Sequence, residues 1–401
     1  MLSRVFKAFH YREFRLLWFG ACTSSIGTWM QVVAQSWLVF QISGSAFLLG
    51  LDGFLGQIPI LLFSLIGGVI ADRIDRRRVL LGSQYVQMTC AFVLTALIAL
   101  QWIKVPHILT VSFVVGCAQA FGGPAYSALV PMLVEKEDLQ NAIALNSIQF
   151  NLARVIGPVL GGLALTGLGA AWCFGLNGLS FVAVIISLLL LTVTFEPQRT
   201  GESILTGVKQ GILFVRGQGA MVGLIALAFC MTALAIPTLT FLPVFAKDVF
   251  HRGPTTFTIL LSCSGVGSVA GALIVAGFGD LKNKGRVALL TMLLLGSAIA
   301  GFALSKSIVL SGALLIVLGA AMMGVFSTVS SLVQLITPNE MRGRVMSVYN
   351  LAFRGGMPVG ILATGWLIRT YSAPHVLAVN GLLLVVVGGY FLLVQRRVAA
   401  L

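Results

Sequence analysis

Arg154 and Arg354 stand 200 residues apart, each inside a long apolar stretch, FNLARVIGPVLGG and NLAFRGGMPVG. Each is followed four residues later by proline (Pro158, Pro358) and then valine (Val159, Val359), and serine stands seven residues before each (Ser147, Ser347). A cation at bilayer depth costs at least ~2.5 kcal/mol, so it needs a partner, an aqueous cavity or a function. Asp52, in FLLGLDGFLGQIP, is the one acid whose position falls within an apolar run. A buried carboxylate that exchanges an arginine for water changes its proton affinity, which is what coupling to an ion gradient requires. A static bridge that steadies the fold is the alternative reading.

The elements that hold these residues must cross a membrane. Of 401 residues, 58% are hydrophobic and 9% charged, with a mean hydropathy of +1.00; soluble domains do not have that composition. The net charge of +14 does not indicate nucleic acid, because the basic residues sit in short gaps between apolar runs, as membrane topology requires. The cysteines are single and scattered, without a CxxC pair, which argues for small buried hydrophobes rather than disulfides or metal sites. No cofactor is implied, and no cleavable signal peptide is expected from the charged start MLSRVFKAFHYREFR.

A span needs ~20 apolar residues, and twelve are expected, at about 16–41, 47–71, 79–101, 107–134, 139–167, 170–194, 220–246, 255–279, 287–304, 308–336, 343–371 and 376–394. With the first residues inside, 19 of the 26 Lys and Arg fall on the cytoplasmic side and five outside. Both termini are therefore expected in the cytoplasm. The remaining two are Arg154 and Arg354. The long connection between spans 6 and 7 divides the chain into an N-terminal half (1–194), a linker (195–219) with an amphipathic helix on the membrane face, and a C-terminal half (220–401). Asn177-Gly178-Leu179 recurs as Asn380-Gly381-Leu382, so the halves read as a duplication, and parallel six-span halves are a transporter architecture.

Two motifs fall on this frame. The loop after span 2 reads Gly68-Val-Ile-Ala-Asp72-Arg73-Ile-Asp75-Arg76-Arg77-Arg78, with a degraded second copy, Gly279-Asp280-Leu-Lys282-Asn-Lys284-Gly-Arg286. It resembles the signature between spans 2 and 3 of the major facilitator superfamily, with Asp75 in place of the usual second glycine. Span 5 carries Gly157-Pro158-Val-Leu-Gly161-Gly162, which is similar to the GPxxGG signature of exporting members. Gly157 and Gly161 offer a small-xxx-small surface for close helix approach, and Pro158 permits a kink. The likeness extends over the whole chain and is to the branch holding enterobactin-type siderophore exporters and macrolide efflux proteins. Span 4 lacks the basic residue that many proton-coupled drug antiporters carry.

That resemblance implies an all-α membrane protein of twelve helices in two pseudo-symmetric halves. It implies a multi-pass, monomeric secondary exporter of small amphipathic organic solutes, by alternating access, in a bacterial inner membrane. The implied partners are a small-molecule substrate, protons and membrane lipid, with no nucleic acid. Asp72 would meet the N-terminal end of span 11 near Arg342, with Gly68, Arg73 and Arg76 in the same switch. Because span 2 packs on span 11 in this superfamily, Asp52 is expected to pair with Arg354, or failing that Arg154. Span 1 would line the cavity, and Ser24, Thr28, Gln31 and Gln35 form one helical stripe. Gln119, Asn146, Gln149, Asn151, Gln334 and Asn350 could complete the wall. A lipid flippase and a non-translocating sensor share these features. Without an HExxH or a deep histidine–serine pair, the pattern does not point to an enzyme, and without a GxxxxGK[ST] loop it does not point to ATP.

Overall fold

The computed structural model describes residues 6–192, 204–277 and 283–401; the side chains at 65, 69, 71, 72 and 204–208 are also outside the description, as is the loop 278–282. Within hydrocarbon every backbone amide must find its partner inside the segment, so the apolar runs become helices. They are α1 (Arg12–Ser43), α2 (Ala46–Arg73), α3 (Arg76–Ala99), α4 (Val105–Leu129), α5 (Leu139–Gly167), α6 (Ala170–Leu189), the short α7 (Ile204–Arg216), α8 (Gly219–Thr240), α9 (Pro254–Gly277), α10 (Lys284–Leu304), α11 (Ile308–Ile336), α12 (Arg342–Thr370) and α13 (Ala373–Leu393). No strand occurs among the described residues. Apart from α7, these are the twelve long helices expected. Eleven are long and apolar enough to span a membrane by composition alone. α1 falls short of that measure because its Ser, Thr and Gln stripe dilutes a helix that is, at 32 residues, ample in length.

The chain forms two compact units: residues 1–43 with 55–201, and residues 44–54 with 202–401. α2 therefore belongs to both, its first turns clustering with the second unit. The change falls at Leu55, whose carbonyl loses its helical partner because Pro59, inside α2, has no amide hydrogen.

In the first unit, an apolar cluster of Ala8, Phe14, Leu17, Leu80, Leu129, Leu145 and Leu188 packs at one end of the bundle. A short 3-10 turn, Lys7–His10, is tied there to the start of α5: the Ala8 amide donates to Asn141 (2.9 Å) and the Tyr11 hydroxyl to Asp138 (3.1 Å). In the second unit the C-terminal turn occupies the matching place, with Val398 fully buried against Gly223 of α8 and Gly285 of α10. α7 is not only a membrane-surface helix. Its Gly211 lies so close to the Arg344 carbonyl of α12 that an added methyl group would come within 2.6 Å of it.

The internal repeat is visible in packing as well as in sequence. Gly178 of α6 faces Phe92 of α3, and Gly381 of α13 faces Gly296 of α10. In each unit the sixth long helix leans on the third at the same small residue.

Candidate functional site

The two arginines ride on helices that share one construction. Gly157 and Gly161 of α5 press against Trp29 and Met30 of α1; Gly356 and Gly360 of α12 press against Thr232 and Ala233 of α8. Each is a small-xxx-small seam that brings two backbones into contact, and Pro158 and Pro358 are buried beside it. The seam thus joins the first and fifth long helices within each unit. Gly162 is buried next to it.

The copies differ by one residue in phase. Arg154 precedes the first seam glycine by three residues and Arg354 precedes it by two. At ~100° per residue, Arg154 points about 60° from its seam and Arg354 about 160°. The consequence is visible at both side chains. Arg154 is half-buried and its guanidinium lies over the Trp29 ring, 5.8 Å from the centroid; Trp29 in turn meets Phe150 edge-on at 6.5 Å. Arg354 points away from α8 and is exposed.

Asp52 is buried, at 7% exposure. Its neighbours in α2 fix the register against α12: Gly50 lies beside Ile361 and Gly365, and Gly53 beside Ile361. Asp52 is thus level with Ile361, seven residues beyond Arg354, and α2 and α12 run antiparallel. That is ~10 Å along the axis, added to the separation of two packed helices. Any Asp52–Arg354 pairing, as expected from sequence, has to span that offset chiefly through the long arginine side chain. Ion pairs form between Lys7 and Asp138, Arg12 and Glu13, and Arg78 and Asp75, at or beyond helix ends.

The polar stripe of α1 is largely consumed by neighbouring helices. Gln31 donates to Gln35 (3.4 Å), Gln35 to Ser112 of α4 (2.9 Å), and Asn177 of α6 donates to Gln31 (2.6 Å). Thr28 donates to the Ser24 carbonyl one turn back (2.9 Å). Gln119 of α4 donates to Gln87 of α3 (3.3 Å). Gln149 departs furthest from expectation. It is 3% exposed and donates to Ser25 (2.8 Å) and the Ala21 carbonyl. It bridges α5 to α1 rather than lining a cavity. Asn146 accepts from Tyr126 of α4 (2.5 Å). In hydrocarbon such bonds hold helices together, so this network fixes α1, α4 and α6 to one another. Asn350 is exposed and belongs to the second unit.

At the loop after α2, the arginines act as helix caps. Arg76 donates to the Ala128 carbonyl at the end of α4 (3.0 Å), and Arg77 to the Leu189 carbonyl at the end of α6 (2.7 Å). Cations at helix C-termini satisfy orphan carbonyls and the helix dipole together. Asp75 caps α3, accepting from the Arg77 amide (2.9 Å). This accounts for aspartate where a second glycine is usual. Arg73 is exposed, Gly68 has open space around its Cα, and the Asp72 side chain lies outside the described residues.

One feature was visible in sequence but not singled out there. Ser327, Ser330, Ser331 and Gln334 of α11 follow an i, i+3, i+4, i+7 pattern, one face of a helix. They line a cleft of about 500 Å³ with Phe326, Leu335 and Arg342. Gln334 alone was expected at a cavity wall.

The chain matches the family described as transmembrane secretion effector over residues 3–400. It is 27% identical over 361 residues to the multidrug efflux pump Tap of Mycolicibacterium fortuitum, covering 87% of this chain and 88% of that protein. It is 28% identical over 393 residues to the enterobactin exporter EntS of Shigella boydii, covering 95% and 91%. Among solved structures, the nucleoside transporter NupG superposes with a TM-score of 0.73 at 15% identity, over 95% of this chain and 98% of that one. That last likeness speaks to the fold.

Proposed function

We propose a function from one premise: the chain belongs to the transmembrane secretion effector family. It acts as a secondary exporter of small amphipathic organic solutes of siderophore or drug type, by alternating access. The observation that carries this reading is the match to efflux and export proteins across nearly the full length of both partners. The protein would sit in a bacterial cytoplasmic membrane with both termini inside, the side favoured by 19 of the 26 basic residues, and work as a monomer.

Two residues give the reading its mechanism. Arg354, exposed at membrane depth on α12, meets an anionic or carbonyl-rich part of the solute. Asp52, buried in the α2 segment that packs on α12, changes hydration as that contact opens, and so gains and loses a proton. Protons are accordingly the coupling ion.

Cells with and without the gene are challenged with a panel of drugs and siderophores, and intracellular accumulation is measured. The expected result is lower accumulation of at least one amphipathic solute in the carrying cells; equal accumulation across the panel would sink the exporter reading. For that solute, Asp52→Asn in everted vesicles is expected to abolish the dependence of transport on the pH gradient. Transport with unchanged proton dependence removes Asp52 from the coupling step.

A further inference from the structure

The polar cleft of α11 has no place in the account above. α8, α10 and α12 begin, and α9, α11 and α13 end, at the end of the second unit that carries the C-terminal turn. The cleft opens near that end. Its floor is the stripe Ser327, Ser330, Ser331 and Gln334, where Gln334 donates to Ser330 (3.4 Å). Four polar side chains on one helical face favour a polar surrounding over lipid. Phe326 forms an apolar wall, backed by Phe353 at 4.9 Å. The rim is Arg342, the first residue of α12, exposed, and with no described carboxylate in ion-pair distance.

Tyr349 of α12 is 1% exposed, and its hydroxyl approaches Ser330 from behind the cleft floor. The floor serine is thus backed by α12, the same helix whose first residue supplies the cation at the rim.

We propose that this cleft is the loading site for the anionic end of an aromatic or amphipathic solute on the cytoplasmic side. Arg342 pairs with the acid group, Ser327, Ser330, Ser331 and Gln334 bind its hydroxyl or carbonyl oxygens, and Phe326 covers the ring. The proposal rests on the exporter reading for its direction and names the substrate class: organic acids rather than neutral or cationic drugs. A single guanidinium with hydroxyls suits a carboxylate or sulfonate, which it binds by paired charge-assisted hydrogen bonds.

The test uses the full chain in phosphatidylcholine nanodiscs. The probes are 8-anilinonaphthalene-1-sulfonate and its uncharged analogue N-phenyl-1-naphthylamine, with protein-free discs subtracted. Arg342→Gln is expected to weaken sulfonate binding about tenfold and leave the neutral amine within about twofold. Arg342→Lys should restore part of the loss, and Ser330→Ala with Ser331→Ala should weaken the sulfonate without unfolding the protein. Equal sulfonate binding by wild type and Arg342→Gln overturns the proposal, as does an equal loss of both probes. A phosphate headgroup offers the same chemistry, so the titration is repeated with phosphatidylglycerol in the discs. Competition by that lipid at its ordinary abundance would make the cleft a lipid site and overturn the solute assignment. Sulfonate export from proteoliposomes separates the two readings. Intact export by Arg342→Gln removes the cleft and keeps the exporter, whereas charge-selective binding without export of any solute removes the exporter and keeps an organic-acid site.

Discussion

Arg154 and Arg354 show how little a sequence must change to give one residue type two environments. Both sit at the same distance from a proline, and that recurrence is plain in the chain. What is not plain is which way each points, because direction is set by the seam glycines, and these are shifted by one residue between the copies. The GPVLGG motif and its echo GGMPVG look like an imperfect repeat until the partner helices are known. The phase shift predicts different phenotypes. Arg154→Ala removes a cation stacked on Trp29 and should lower stability by about 0.5–2 kcal/mol. Arg354→Ala removes an exposed side chain and should stay within about 0.5 kcal/mol, while impairing transport. Thermal melting of the two purified variants checks this, and equal destabilisation would show that the stacking on Trp29 contributes nothing. The partner of Asp52 is not legible in sequence for a related reason. Knowing that α2 packs on α12 does not give the register, and the register separates the two groups by about two helical turns.

Among the elements, the helices themselves were legible, since runs of apolar residues of this length have one solution in lipid. Side-chain partners were not. The stripe Thr28, Gln31, Gln35 reads equally well as a cavity wall or as interhelical bonding, and only the positions of Ser112 and Asn177 decide it. The seams give the sharpest prediction at this scale. A methyl group added at Gly360 overlaps the backbone of Ala233, which cannot step aside, whereas the same change at Gly389 meets nothing within 4 Å. Gly360→Ala should therefore cost about 1–3 kcal/mol, read as a lower melting temperature, with Gly389→Ala as the matched control. Similar melting of both would mean that the α8–α12 seam is loose.

For the molecule as a whole, composition and the distribution of basic residues carried most of the information, and residues 279–282 of the degraded second loop, Asp280 and Lys282 included, lie outside the described residues. The orientation is checked with a protease-sensitive tag after Leu401. In intact spheroplasts the tag should survive external protease, and in everted vesicles it should be cut; the reverse pattern would invert the topology. The loop after α2 bears on a different question, the order in which the molecule is made. Arg77 closes on the carbonyl of a residue 112 positions later in the chain. At ~5–20 residues per second, that acceptor reaches the membrane roughly 5–20 s after the arginine does. For that interval Arg77 lacks its acceptor, and the Arg76 partner at Ala128 arrives only part-way through. The first unit is therefore latched late and in sequence, α4 before α6, by the cations of that loop. A nascent chain stalled before Leu189 would present that cluster to the lipid phosphates and to whatever assists insertion.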